Sequence, residues 1–488
     1  MTLTTLKAIP QTFPSQLLIG GRWCDGADQE SIDVLDPATG DGWVRVASGT
    51  EHDAAQAVDA AHSALAGWAA RAPRERAEVL RRAFELTLQR QDLLAETIVR
   101  ENGKTLSDAL GEVAYAAEFF RWYSEEAPRL LGTLTRAPSG ANDILVEHHP
   151  VGVCVLVTPW NFPAAMATRK IAPALAAGCT VVLKPASATP VTALLIGQLL
   201  TDAGVPPGVV NVIPSQRSGA VVGAMLADER VRKLSFTGST EVGRVLLAGA
   251  ADGVVNCSME LGGNAPFIVF EDADLDEAIA GAMIAKMRNG GEACTAANRF
   301  LVAKNVVEAF TARLAQAMSA CPMGSGLDPT TGLGPLVDAA TRDKVAQLVD
   351  SAVAEGATLV TGGVLPEGSG FFYPPTVLAD VAPGSRILGE EIFGPVAPIT
   401  TFSTEDEAVA LANDTEYGLV AYVYTTDTAR GMRIARRLES GMVGLNRGLV
   451  SDPAAPFGGV KASGIGREGG HEGVLDYTES QYIALKWG

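Results

Sequence analysis

The chain has 488 residues, 47% of them hydrophobic and 19% charged. That balance excludes a disordered protein and, at this length, predicts two or three domains. Lysine and arginine number 38 against 56 acidic residues, a formal charge of −18, which repels nucleic acid and anionic membrane and excludes both as expected partners.

The opening segment MTLTTLKAIPQTFPSQ has no continuous apolar stretch, so no secretory signal is expected there. The longest uncharged run, His149 to Thr168, contains Pro150, Pro159, Asn161 and Pro163, which a membrane-spanning helix tolerates poorly. A cytoplasmic location is therefore expected. The six cysteines (Cys24, Cys154, Cys179, Cys257, Cys294, Cys321) form no C-x-x-C pair and no zinc spacing with the five histidines, so neither disulfides nor a metal site is expected.

In chain order, residues 17–24 (LLIGGRWC) predict two short strands around a Gly-Gly turn. Thr50 to Asp53 reads as a capping box opening a helix to about Ala70. A second helix is predicted from Pro73 to Glu101, with Asn102-Gly103 as its stop. Residues 128–148 are polar, turn-rich and β-prone, and predict an extended hairpin. From residue 150, strand-like runs (VGVCVLV, TVVLKPA, VVNVI, KLSFTGS) alternate with helical ones (ATRKIAPALAAG, TPVTALLIGQLLTDAG, AVVGAMLAD, STEVGRVLLAGAA). This alternation predicts βαβ units on a parallel sheet, with ligands at the carboxyl ends of its strands. A second α/β segment starts near residue 258, and the end, YTESQYIALKWG, alternates like a strand.

Several motifs could carry chemistry. In NGGEACTAANR (289–299), Cys294 follows two glycines, and reads either as an exposed thiolate in a tight turn or as a buried structural cysteine. Glu260 stands between apolar residues before a Gly-Gly turn, where it is a general base with a raised pKa or a plain turn carboxylate. Asn161, in Thr158-Pro159-Trp160-Asn161-Phe-Pro, follows a strand, where its amide could stabilise an oxyanion or merely polarise a turn. Lys184 and Ser187 end the next strand and suit a ribose or phosphate, or a solvated loop. Gly238 and Ser239 lie between strand and helix, where N–H groups can hold a phosphate.

Together with LKPAS, FTGSTEVG, MELGGNAP, EEIFGP (390–395) and PFGGVKASGIGRE (456–468), these segments resemble the aldehyde dehydrogenase superfamily along nearly the whole chain. The resemblance implies an α/β fold with a Rossmann-type cofactor domain (1–127 and 149–257), a catalytic domain (258–455) and a β-hairpin oligomerisation arm (128–148 with 470–488). It implies Cys294 as nucleophile, Glu260 as general base, and Asn161 with the Cys294 N–H as oxyanion hole. The cofactor NAD or NADP is expected against Thr158, Pro159, Trp160, Lys184, Ser187, Gly238, Ser239, Leu261, Glu391 and Phe393. A homodimer or homotetramer is expected through the hairpin arm.

A narrower resemblance, to bacterial succinate-semialdehyde dehydrogenases, rests on NFPAAMATRK (161–170), on Arg288, and on Gly448-Leu-Val-Ser451. It implies that Arg169, Arg288 and Ser451 hold a distal carboxylate on the aldehyde, and an arginine fork suits that group. The alternatives are surface salt bridges for the two arginines and an uncharged aldehyde as substrate. Ser187 replaces a glutamate found in relatives strict for NAD, so NADP is expected to be accepted and preferred. Glu292 stands where many relatives have Gln, and is expected to point away from Cys294 or to be paired. The loop Pro214 to Gly219 is longer and more polar than the usual glycine-rich form.

Overall fold

The computed structural model describes residues 13–487. Residues 1–12, most of the segment read for a secretory signal, and Gly488 at the end of the terminal strand lie outside the described residues.

Five parallel strands form the centre of the first sheet, in the spatial order Val210–Val212, Thr180–Lys184, Val153–Val157, Val231–Thr237, Asn256–Glu260. Strands Val153–Val157 and Thr180–Lys184 are buried throughout, as expected of a parallel sheet covered on both faces. The predicted pair Leu17–Ile19 and Arg22–Cys24 adds antiparallel strands at one edge, and Gly464–Ile465 closes the other. Chain order runs outward from Val153–Val157 in both directions. It therefore reverses between that strand and Val231–Thr237, and a crevice opens at such a point.

The second sheet runs Thr358–Thr361, Thr376–Ala379, Val396–Phe402, Ala297–Ala303, Ala265–Val269, Val420–Tyr424, Met442–Leu445. All its neighbours are parallel except the first pair. The predicted hairpin is present as Thr133–Arg136 and Asp143–Pro150. The terminal strand Thr478–Leu485 pairs along the whole of the latter, from Thr478 opposite Pro150 to Leu485 opposite Asp143. This small sheet leaves Leu131, Leu134, Tyr482 and Trp487 exposed.

The capping box is formed: the Asp53 N–H donates to Thr50 Oγ1 (3.3 Å) and the Thr50 N–H to Asp53 Oδ2 (2.8 Å), opening helix Glu51–Ala69. Such a cap stabilises a helix by about 1 kcal/mol. The single helix expected from Pro73 to Glu101 is instead two, Pro73–Gln89 and Gln91–Asn102, broken at Arg90 (φ −106°, ψ 18°) with no proline or glycine to mark it. Helix Leu106–Glu126 is not among the predicted elements. It packs on Pro73–Gln89 and Pro163–Ala177 and brings Glu112 and Tyr115 to the crevice. No described helix is long and apolar enough to cross a membrane.

Candidate active site

Only Leu261–Asn264 separate the end of strand Asn256–Glu260 in the first sheet from the start of Ala265–Val269 in the second. The carboxyl edge of one sheet is thereby brought to the amino edge of the other. A cavity of about 250 Å³ lies between them. Pro159, Trp160, Asn161, Gly238 and Ser239 reach it from the ends of first-sheet strands, and Cys294, Glu391 and Phe393 from just before second-sheet strands. Leu261, Arg169, Arg288 and Ser451 also line it. Of the residues singled out in the sequence, Thr158, Lys184, Ser187 and Glu260 do not form its wall.

Cys294 is half-buried and follows a left-handed turn through Asn289, Gly290 and Gly291 (φ 53°, 60° and 79°). A side chain at Gly291 would meet the Gly394 carbonyl at 2.3 Å, and one at Gly263 would meet the Cys294 carbonyl at the same distance. Both glycines let the backbone press close around the thiol. All six cysteines are free. Burial pushes the Cys294 thiol up to about 12; Arg169 opposes the rise, Glu391 and Glu260 add to it, and Arg288 opposes it again. The resting thiol is therefore protonated near neutral pH, and nucleophilic attack requires that proton to leave.

Asn161 is fixed on two sides. Its carbonyl accepts from Lys104 Nζ (2.8 Å) and Asn289 Nδ2 (2.9 Å), and its side-chain amide donates to the Glu292 carbonyl (3.0 Å). The second N–H of that amide has no acceptor among the described residues. The first N–H groups of helix Pro163–Ala177, an otherwise ready anion site, are already taken. Glu112 Oε1 accepts from Ala164 (2.8 Å) and Ala165 (3.2 Å). The Asn161 amide thus keeps an N–H without an acceptor beside a helix start whose own N–H groups are bonded.

Glu260 is 3% exposed, so the reading as a surface carboxylate is excluded. Its Oε2 has no hydrogen-bond partner among the described residues. Burial pushes its carboxyl well above the usual range and Glu468 adds to this, against the pull of Arg169, Lys170 and Arg467. Glu468, itself buried, accepts from Lys170 Nζ at 2.5 Å and from Arg169 Nη1 at 3.4 Å. Burial works to raise Glu468, but these two cations hold it below the usual carboxylate value.

The two arginines differ. Neither is a surface salt-bridge residue. Arg169 is 2% exposed, paired with Glu468, bonded to the Tyr115 hydroxyl (3.0 Å) and 4.1 Å from the Phe457 ring centre. Arg288 lies on the ring of Phe162 (5.0 Å) and makes neither ion pair nor hydrogen bond among the described residues. Glu292 points away from the thiol: its Oε1 accepts from the Val337 N–H (3.0 Å), and burial pushes its carboxyl well above the usual value.

On the other side of the cavity, Trp160 and Phe393 meet edge to face (5.4 Å, 84°), Phe393 at the uncommon φ of 57°. Glu391 Oε1 accepts from the Gly263 N–H (3.2 Å), and burial raises its carboxyl to about 7. Lys184, nearly buried, donates to Ser218 Oγ (2.5 Å), and burial lowers it to about 8. That bond joins the strand end to the first residue of helix Ser218–Leu226, so the loop expected over 214–219 ends at Arg217. Arg217 is engaged by Asp28 (2.5 Å), Glu51 (3.7 Å) and Glu30 (3.9 Å). Ser239 Oγ accepts from the Val242 N–H (3.4 Å) as the N-cap of helix Thr240–Ala251. Sequence reasoning missed Lys104, Glu112, Tyr115, Lys286 and Glu468. Lys286 is fully buried with no partner for Nζ among the described residues, and burial lowers it to about 7. Charge normally signals surface, and only tertiary partners reveal Lys104, Glu112 and Glu468 as buried.

A thiol, a buried carboxyl and an amide donor at the junction of a doubly wound sheet with a second α/β sheet define a class. The chain belongs to the aldehyde dehydrogenase family, whose model matches residues 23–483. Among its relatives, a succinate-semialdehyde dehydrogenase of Paenarthrobacter nicotinovorans is 57% identical over 440 residues, covering 90% of this chain and 98% of that one. A glutarate-semialdehyde dehydrogenase of Pseudomonas putida is 47% identical, covering 97% and 98%. A crystal structure of an NADP-dependent enzyme of E. coli superposes with a TM-score of 0.96 at 46% identity, covering 97% of this chain and 98% of that one.

Proposed function

We propose that the protein oxidises succinate semialdehyde, or a similar short aldehyde acid, to the carboxylic acid with NAD(P). The observation that carries the substrate reading is Arg288, a guanidinium at the cavity wall with no carboxylate partner of its own. An aldehyde bearing a distal carboxylate supplies the missing partner. The names of the relatives, both dehydrogenases of ω-carboxylated aldehydes, support the same reading.

Cys294 gives up its thiol proton to solvent water, and Sγ attacks the aldehyde carbon to form a thiohemiacetal, whose oxyanion is held by the free Asn161 N–H and the Cys294 N–H. Bound NAD(P) would supply the hydride acceptor through which the thiohemiacetal becomes a thioester on Cys294. Glu260, its carboxyl ionised, takes a proton from water, and the resulting attack releases the acid. The cofactor fits the residues present. Lys184, Ser187 and Thr158 stand at the carboxyl ends of first-sheet strands for the adenosine ribose, and Gly238 and Ser239 at a helix N-terminus for the pyrophosphate. Glu391 offers acceptors to the nicotinamide ribose, with Pro159, Trp160, Leu261 and Phe393 beside it. NADP is the preferred form on this reading, because Ser187 carries no charge to repel a 2′-phosphate and Lys184 can pair with it.

The domain roles follow: 1–127 and 149–257 for the cofactor, 258–455 for the nucleophile, and 128–148 with 470–488 for subunit contact. The exposed apolar residues of the hairpin sheet support a homodimer or homotetramer. A cytoplasmic location accompanies this reading. Rates with carboxylated and uncharged aldehydes, each with NAD and NADP, test it; equal kcat/KM for both aldehyde classes would leave the uncharged-aldehyde alternative standing.

A further inference from the structure

Asn161 sits in the link between strand Val153–Val157 and helix Pro163–Ala177, outside the hydrogen-bond ladders of both elements. Its carbonyl precedes the helical ladder, whose first bond runs from Met166 to Phe162. Two side chains from distant elements take that carbonyl instead. Lys104 comes from the turn between helices Gln91–Asn102 and Leu106–Glu126, and its side chain has no exposed surface. Its ammonium donates to the Asn161 carbonyl (2.8 Å) and to Glu112 Oε2 (2.5 Å), and lies 4.1 Å from the Phe162 ring centre. The other oxygen of Glu112 holds the N–H groups of Ala164 and Ala165. Asn289, from the turn before Cys294, donates from one nitrogen to the Asn161 carbonyl (2.9 Å) and the Glu292 carbonyl (3.0 Å). The Asn161 amide is tied to that same Glu292 carbonyl. A buried ion pair is a weak stabiliser, since desolvation offsets its attraction; this one fastens the Asn161 link to helix Leu106–Glu126, and Asn289 joins that link to the nucleophile's turn.

We propose that Lys104, Glu112 and Asn289 are positioning residues that hold the Asn161 amide at the oxyanion site, so that they govern formation of the thiohemiacetal at Cys294. The inference rests on the reading of Asn161 as the oxyanion donor. A misplacement near 1 Å can cost on the order of 100-fold in rate.

The test is a double-mutant cycle read by the pre-steady-state burst of reduced nicotinamide. Lys104→Met with Glu112→Gln removes the ammonium without stranding a carboxylate, and Gln keeps an acceptor for the helix N-terminus. In the wild-type background this pair should slow the burst roughly 10- to 100-fold, with cofactor affinity by fluorescence titration unchanged. In an Asn161→Ala background it should slow the burst by less than about 3-fold, because its effect acts through Asn161. An unchanged burst in the first case, or the full penalty again in the second, overturns the inference. An unchanged burst in Asn161→Ala alone overturns the reading of Asn161 itself. Should the paired variant not fold, Asn289→Ala enters the same cycle with the same two outcomes.

Discussion

The guanidinium of Arg288 rests 5.0 Å from the ring centre of Phe162 and has no anionic partner among the described residues, whereas Arg169 is paired with Glu468. Position in the sequence made these two arginines equivalent, but charge balance separates them. On the proposed function, Arg288 is the main anchor for a substrate carboxylate. Arg288→Ala should raise KM for succinate semialdehyde by roughly 10- to 100-fold, the worth of one charge-assisted bond of about 1.5–3 kcal/mol, and leave KM for butanal nearly unchanged. Steady-state kinetics on both aldehydes check this.

Arg169→Ala should behave differently. It leaves Glu468 with Lys170 alone and removes one of the cations that oppose the rise of Glu260. Loss of one partner of a buried pair costs about 3–5 kcal/mol. A lower melting temperature, and reduced rates with both aldehydes, are expected; a selective KM effect with no loss of stability would instead make Arg169 the main substrate anchor in place of Arg288.

Glu260→Gln should keep the burst of reduced cofactor and lose steady-state turnover by at least about 100-fold, because only thioester hydrolysis needs the base. Burial, reinforced by Glu468, raises the Glu260 carboxyl, so the basic form grows as pH rises. Hydrolysis in the wild type should therefore accelerate toward alkaline pH, and this dependence should vanish in the variant. Single-turnover rates across pH 6–9 read it directly.

Glu292→Gln tests the departure next to the nucleophile. Burial raises the folded-state pKa of Glu292 above its unfolded value. The stability of the protonated form is then fully present below the unfolded value and is lost as pH climbs through the folded one. Gln can accept the Val337 N–H without carrying that ionisation. The variant should match the wild type in kcat within about 2-fold and gain in melting temperature relative to it as pH rises from 6 to 9; a parallel pH profile for the two proteins would contradict this.

Ser187→Glu should lower kcat/KM for NADP by roughly 10-fold or more while sparing NAD, since a carboxylate repels the 2′-phosphate and accepts ribose hydroxyls. Cofactor kinetics with a saturating aldehyde give the ratio.

The alternation from Val153 to Ala251 was legible because each element carries its own periodicity and turn residues. So were the capping box at Thr50 and the hairpin near residue 140. The break at Arg90 was not, since no proline or glycine announces it. Helix Leu106–Glu126 escaped because its buried face mixes alanine with Glu112, Ser124 and Glu126, which blurs the apolar stripe. At the site, Cys294, Glu260 and Asn161 could be named from motifs. The contacts that hold them could not, because Lys104, Glu112 and Glu468 are charged residues whose burial depends on partners 8 to nearly 300 positions away.

On the proposed function, Cys294 captures an aldehyde whose distal carboxylate is held by Arg288, and NAD(P) is the oxidant. The sharpest check compares kcat/KM for succinate semialdehyde and butanal, with NADP, in the wild type and in Arg288→Ala. A preference of about 100-fold for the carboxylated aldehyde is expected, falling at least 10-fold in the variant. Equal kcat/KM for the two aldehydes in the wild type, or a preference that survives the substitution, would contradict it.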